Sequence, residues 1–489
     1  MNRRIAFGTC LFLCALFLGS TARAQDPSQQ EPQPEPQSEP QPSDNPQEPM
    51  PGGQPKPAGY SFPGVFGPGE GELQDDFSPL TGFQNTTLGF PEFRHSFWVP
   101  GLQYASTIQT TGGSSSSWYD SNYFLGNMSL LKASEAGTFA VNYSGGGYVS
   151  SGDYNGAAFY QQLALAQNLR TQRWLFQVVD QFAQSPQSAF GFGGGTSLGI
   201  PGTGGSFGAT IPGLGGSYVP NQSVYGVGPF IGNTGALQAT YAVSRRGSIT
   251  VAGSYGILHF TEPGNIDTNA FVGSVGYNYA LSRKDTVGLV YRYSDFQYPG
   301  SPQAYSDHVV SVAYGRKVTG RLGFRIFAGP EYTQYRHPIG TSNSNHTLGF
   351  SVSAQATYGF RRSSLGLTYD HGLYGGSGVL IGSVLDQATA FGNRSLTRVW
   401  SGNVTFGYAR NAPVGGTSTT SGPTYSDWFI AAGVNRPIGR SLSFSAAYTA
   451  TVGNYGGPSC VGTGCSANNY TYNTVTLGLQ WRPRPFILQ

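Results

Sequence analysis

The sequence predicts an all-β fold, a transmembrane antiparallel up-and-down β-barrel of about 18 strands, on three observations. Apolar and polar residues alternate with period two over most of the chain from residue 98 onward. Connections alternate between tight basic turns and longer loops poor in arginine. Past the first 24 residues, no apolar run reaches the ~20 residues that a membrane helix requires.

Taken in order, residues 1–24 have the parts of a secretory signal peptide. Arg3 and Arg4 supply the positive start, an apolar middle follows, and Ala22-Arg23-Ala24 forms a small-residue cleavage site before Gln25. Residues 25–58 are rich in Pro, Gln and Glu and offer almost no apolar surface to bury, so a disordered, extended periplasmic linker is expected. Such a linker could reach a periplasmic partner. Residues 59–97 are turn-rich and are expected to be periplasmic as well; 98–489 is the expected barrel.

Composition points the same way. The chain has Gly 72, Tyr 30 and Phe 31, with 10% charged residues, against about 25% in an ordinary soluble domain. A soluble surface would be covered by Lys and Glu; here another medium, the outer-membrane lipid, must face much of the molecule. The net charge of +3 and the lack of a basic stripe interleaved with aromatics exclude nucleic acid as a partner.

Strand alternation is clear in LGFSVSAQATY. Leu348, Phe350, Val352, Ala354, Ala356 and Tyr358 fall on one face; Gly349, Ser351, Ser353, Gln355 and Thr357 fall on the other. The last strand repeats it, with Val475, Leu477, Leu479 and Trp481 against Thr474, Thr476, Gly478 and Gln480. The polar face is Ser, Thr, Gly, Gln and Asn, suited to a water-filled lumen.

Tight turns occur at Lys132, Asn168, Ser244, Ser282, Gly315, Phe360, Arg394 and Asn435. These eight turns join sixteen strands. A first and a last strand bring the total to about 18, with 16 as the alternative should the stretch 378–400 not form a pair. Short turns face the periplasm in such barrels, which places both termini there. Tyr277, Tyr279, Tyr291, Tyr293 and Tyr314 are expected in the aromatic girdles. The glycine-rich loop 183–228 either extends outside or folds into the lumen as a constriction; Phe190, Phe192, Ile200 and Phe207 favour folding inward.

The stretches FGFGGG at Phe190, AGSYGILHF at Ala252, YGRKVTGRLG at Tyr314, GSGVLIG at Gly376 and LTRVWSGNVTFGYARN at Leu396 resemble uncharacterised bacterial outer-membrane β-barrel proteins of porin type. The resemblance runs from about Phe97 to Trp481, and its motifs mark hairpin architecture. It implies an outer-membrane location, a barrel fold and insertion by the outer-membrane assembly machinery. The end WRPRPFILQ departs from the terminal aromatic residue common in such barrels, since Trp481 and Phe486 are internal.

Few residues suggest chemistry. Asp307-His308 and Asp370-His371 are adjacent acid–base pairs, but neighbours in a strand point to opposite faces, so neither forms a dyad. No nucleophile stands at a spacing that a strand would bring to a base, and no enzymatic activity is expected. Arg292, Arg325 and Asp370 fall on the polar face and are the lumen-facing candidates for tuning solute selectivity, or for a bridge that holds the barrel's shape. Cys460 and Cys465 lie in a loop of an oxidising compartment and are expected to form a disulfide worth about 2 kcal/mol. With no histidine or second cysteine pair nearby, neither a metal nor a cofactor is expected.

The expected activity is that of a porin-like channel for hydrophilic solutes, the substrate unspecified. The alternative is a structural or secretion-linked barrel, for instance in exopolysaccharide export, and a barrel hydrolase ranks behind both.

Overall fold

The computed structural model describes residues 96–112, 117–152, 156–185, 229–261, 263–337, 345–360, 362–375, 380–414, 424–456 and 468–488. The signal peptide, the linker, most of the segment 59–97, residues 186–228 and both Cys460 and Cys465 lie outside the described residues.

The strands run β1 (Ser96–Gly112), β2 (Ser117–Ser134), β3 (Gly137–Gly152), β4 (Gly156–Arg170), β5 (Trp174–Ser185) and β6 (Phe230–Ala242). Then follow β7 (Gly247–Phe260), β8 (Thr268–Ala280), β9 (Asp285–Gln297), β10 (Ala304–Lys317), β11 (Leu322–Tyr335) and β12 (His346–Gly359). The last are β13 (Ser363–Tyr374), β14 (Ser383–Ser395), β15 (Ser401–Pro413), β16 (Thr424–Ile438), β17 (Leu442–Gly456), β18 (Asn468–Trp481) and the short β19 (Phe486–Leu488). Each of β1 to β18 pairs antiparallel with its sequence neighbours. The ring closes where β1 meets β18, from Leu102↔Trp481 to Gly112↔Thr471. Closure is required in lipid, because an open edge would leave backbone groups without hydrogen-bond partners.

The 18-strand count holds, and all eight tight turns fall between the expected strand pairs, including β14 and β15 in the stretch 378–400. Two details differ. Strands β1 to β18 hold 12 to 18 residues, more than the about 9–11 that cross the hydrocarbon. The barrel also begins at Ser96, ahead of residue 98, because Ser96, Phe97 and Trp98 pair with β19. There Phe486 stacks on Trp98 with ring centroids 5.3 Å apart.

The two faces sort as the alternation requires. Leu289, Val312, Leu348, Phe350, Leu367, Val404, Phe406 and Leu477 are exposed on the outside, where lipid takes the place of water. The opposite positions are small or polar and buried, among them Thr107, Asn142, Gln177, Thr250, Ser311 and Thr476. Tyr277, Tyr279 and Tyr291 are exposed on the outer surface as a girdle would be. Tyr314, beside the turn, donates its hydroxyl hydrogen bond to Asp285 at 2.8 Å.

Candidate functional site

Inward-facing polar side chains divide the barrel wall in two. From β1 to β8 the inward row is neutral, built from amides, hydroxyls and tyrosines. Asn127 donates to Gln103 at 3.2 Å, Gln238 to Gln177 at 3.0 Å, and the Tyr160 hydroxyl to Gln162 at 3.0 Å. Thr107 and Thr476 bond across the closing seam at 3.2 Å. Tyr123 packs against Tyr148 and Tyr160 at 4.9 and 6.4 Å between centroids.

From β9 onward the wall carries charge. Arg292 of β9, Asp307 of β10 and Glu331 of β11 meet inside the barrel. The Arg292 guanidinium lies 3.6 Å from Asp307 Oδ2 and 3.8 Å from Glu331 Oε1. Asp307 is fully buried and accepts from the Thr333 hydroxyl at 3.4 Å. Register brings these residues together. Val309 pairs with both Arg292 and Glu331, and Asp307 stands two residues away on the same face. One guanidinium thus serves two carboxylates at ion-pair distance.

Arg292, Arg325 and Asp370 all occupy the inward face, as read from the alternation, since Phe324, Ile326, Leu367 and Tyr369 are exposed outside. Asp370 accepts from the Ser353 hydroxyl at 2.7 Å. A small cavity lined by Arg292, Ser311, Phe327, Ser353, Asp370 and Tyr374 joins it to the Arg292 group. Asp307 and Glu331 were the members missing from the sequence reading. Their signal lay in the same alternation, with Glu331 between Pro330 and Tyr332, and Asp307 opposite His308.

Beside this cluster the described ends of the β13–β14 connection, Gly375 and residues 380–382, are tied to inward-facing side chains and form a strap there. The Tyr298 hydroxyl donates to the Gly375 carbonyl at 2.7 Å, and the Tyr305 hydroxyl to the Ile381 carbonyl at 2.6 Å. Burial pushes the Tyr298 hydroxyl well above its ordinary pKa, so it stays a donor. The Leu373 N–H donates to Glu331 Oε1 at 3.1 Å, tying the strap's base to the charged cluster. Leu373 packs with Phe296, Tyr298, Tyr305 and Tyr335 in one buried group. Glycine is needed twice here. Gly382 has φ +69°, and a Cβ there would come within 2.6 Å of the Tyr305 ring; a Cβ on Gly375 would come within 2.5 Å of the Phe296 ring. The loop 183–228, for which an inward fold was the favoured of two courses, lies outside the described residues from 186 onward.

The histidines lie on the other side of the wall. His308 and His371 face outward while Asp307 and Asp370 face inward, so the adjacent pairs are split as strand geometry requires. His371 Nδ1 instead meets Asp386 of β14 at 2.5 Å, and His259 Nδ1 meets Asp267 at 2.5 Å. His308 bonds the Tyr291 hydroxyl at 2.7 Å. These are rim contacts near the long-loop end of the strands.

No family model matches the sequence, and no curated protein does. Among solved structures, the chain is similar to OpdQ of Pseudomonas aeruginosa, with 10% identity and a TM-score of 0.40 over 80% of this chain and 100% of that one. It is similar to OccK2 (OpdF) of the same organism in complex with glucuronate, with 10% identity and a TM-score of 0.40 over 80% and 98%. A third is OccAB4 of Acinetobacter baumannii, with 8% identity and a TM-score of 0.39 over 80% and 99%. The barrel itself is established by its own strand order and register.

Proposed function

We propose that the chain is a porin-like outer-membrane channel for hydrophilic solutes, with the inward-tied ends of the β13–β14 connection beside its path. The observation that carries this reading is the sorting of the closed barrel's two faces, with large apolar side chains outside and small polar ones inside. In this reading the basic turns and both termini face the periplasm, the long loops face outward, and the barrel performs no bond chemistry. Outer-membrane lipid and the assembly machinery are its partners, with a periplasmic partner reached by the linker 25–58.

The charged wall suggests a selectivity. Along β9 to β16 the inward carboxylates are Asp307, Glu331, Asp370 and Asp427, against Arg292, Arg325 and, at the turn end of β10, Lys317, with Arg482 buried beyond β18. The carboxylates outnumber the cations along the middle and long-loop halves of these strands, and a negative stretch of channel wall favours cations. Single-channel recording in planar bilayers tests both statements. Discrete conductance steps, with a reversal potential in a salt gradient shifted toward the cation, are expected. A barrel that folds yet stays silent at all voltages removes the channel reading, and an anion-selective current removes the assignment of selectivity.

A further inference from the structure

The outer wall is not uniform. On the lipid-facing side of β13 to β18, next to the tight turns, lies a groove of about 940 Å³. Its floor is Gly392, Gly402, Ala432 and Ala446, and its sides are Leu365, Leu396, Val404, Tyr448 and Val475. The glycines create the depth. A Cβ on Gly392 would approach Leu365 Cδ2 at 2.9 Å, and one on Gly402 would approach Leu396 Cδ1 at 3.1 Å. A recess of this kind in a wall that faces hydrocarbon is filled by the solvent present there, an acyl chain.

The rim of the groove is cationic. Arg394 lines it directly. The neighbouring turns carry Arg362, Arg398, Arg436 and Arg440, and the Arg436 guanidinium sits over the Trp400 ring at 5.3 Å, held at the level where aromatic side chains mark the interface. The acids of these same strands, Asp370, Asp386 and Asp427, all stand in the halves away from the turns. Among the described residues, no acid of these strands lies at the groove's mouth to balance the arginines.

We propose that this groove is a binding site for an anionic phospholipid of the periplasmic leaflet, with one acyl chain along the glycine–alanine floor and the phosphate at Arg394. Apolar shape alone would hold any lipid; the unbalanced arginines add the preference for a net negative headgroup. The inference rests on the membrane-spanning reading above, and on none of the assigned solute selectivity.

The test uses the purified full chain in detergent, titrated with phosphatidylglycerol or phosphatidylcholine of identical acyl chains and examined by native mass spectrometry. Phosphatidylglycerol should be retained in preference. Arg394→Gln should lower its retention about fivefold and leave phosphatidylcholine unchanged. Ala432→Phe, which fills the floor from the lipid side, should lower retention of both. Equal retention of the two lipids by the unaltered chain overturns the proposal. So does unchanged phosphatidylglycerol binding in both variants, each shown to be folded by its heat-dependent gel mobility. A chain that conducts in bilayers but shows no headgroup preference defeats this inference alone. A chain that stays soluble without detergent defeats the membrane reading and this inference with it.

Discussion

The two halves of the barrel interior solve one problem in different ways. Both must place polar side chains that face inward and are packed closely against one another. The β1–β8 wall uses groups that donate and accept at once, and neighbours such as Gln177 and Gln238 bond one another across strands. The β9–β13 wall uses groups that do only one or the other. Arg292 can only donate, Asp307 and Glu331 when ionised can only accept, and one guanidinium is shared between two carboxylates. The neutral wall is therefore tolerant and local, while the charged wall stands or falls as a unit. The strap is bonded to the charged wall through Glu331 and Leu373.

That contrast predicts its own largest break. Arg292→Ala would leave the Asp307 and Glu331 carboxylates facing each other without a cation. Loss of one partner from a buried ionic group costs on the order of 3 kcal/mol. The folded barrel should lose that much in denaturant titrations of refolded protein in detergent. The strap should loosen too, because two crowded carboxylates no longer hold the Leu373 N–H in place. An unchanged unfolding midpoint would show that the three charges are solvated independently and that the wall is no unit at all.

The strap can be broken without touching charge. Gly382→Ala places a Cβ where φ is +69° and where the Tyr305 ring stands 2.6 Å away. The backbone term alone is about 1–2 kcal/mol, and the ring must also move. The strap should detach from Tyr305, and single-channel conductance should rise with ion selectivity kept, since the four inward carboxylates remain. A fall in conductance would mean that the strap holds the lumen open rather than restricting it.

Sequence made one wall far more legible than the other. Period-two alternation assigns a face to every strand residue, so the inward placement of Arg292, Arg325 and Asp370 could be read directly. Which inward residues touch depends on register between strands, and register is set by turn geometry and by the whole ring. Arg292 and Glu331 are 39 positions apart and meet only because each pairs with Val309. The tight turns were plain because their arginines recur at regular spacing. The strap was hidden because the stretch LYGGSGVLIG looks like any outer loop. Its described ends at Gly375 and Ile381 are held by Tyr298 and Tyr305, some 76 positions earlier. Short β19 was hidden because Arg482-Pro483-Arg484-Pro485 interrupts the alternation just before it.

A milder change at the same strap isolates one contact. Tyr305→Phe removes the hydroxyl that donates to the Ile381 carbonyl at 2.6 Å and keeps the ring that packs on Gly382. About 1 kcal/mol should be lost, small enough for the barrel to fold normally. The reading here is kinetic. If the strap opens and closes during recording, the closed dwell times should shorten about fivefold in Tyr305→Phe, with the open conductance unaltered. A changed open conductance with unchanged dwell times would place Tyr305 in the permeation path itself.

The smallest effect belongs to the neutral wall, and it completes the comparison. Gln177→Leu together with Gln238→Leu removes a donor and its acceptor at once. Replacing both partners of a hydrogen bond by apolar groups of similar shape is close to neutral, so the unfolding midpoint should move by less than about 0.5 kcal/mol in stability. Reversal potential should not change, because no charge is touched. The single change Gln177→Leu should cost more than the double one, since it strands the Gln238 amide against an apolar neighbour. The same ordering holds on a larger scale at Arg292, where removing the guanidinium alone strands two carboxylates and removing the charged partners together strands none. If the double variant instead proves as damaging as Arg292→Ala, the neutral wall is itself a cooperative network, and the two halves of the barrel differ in charge but not in kind.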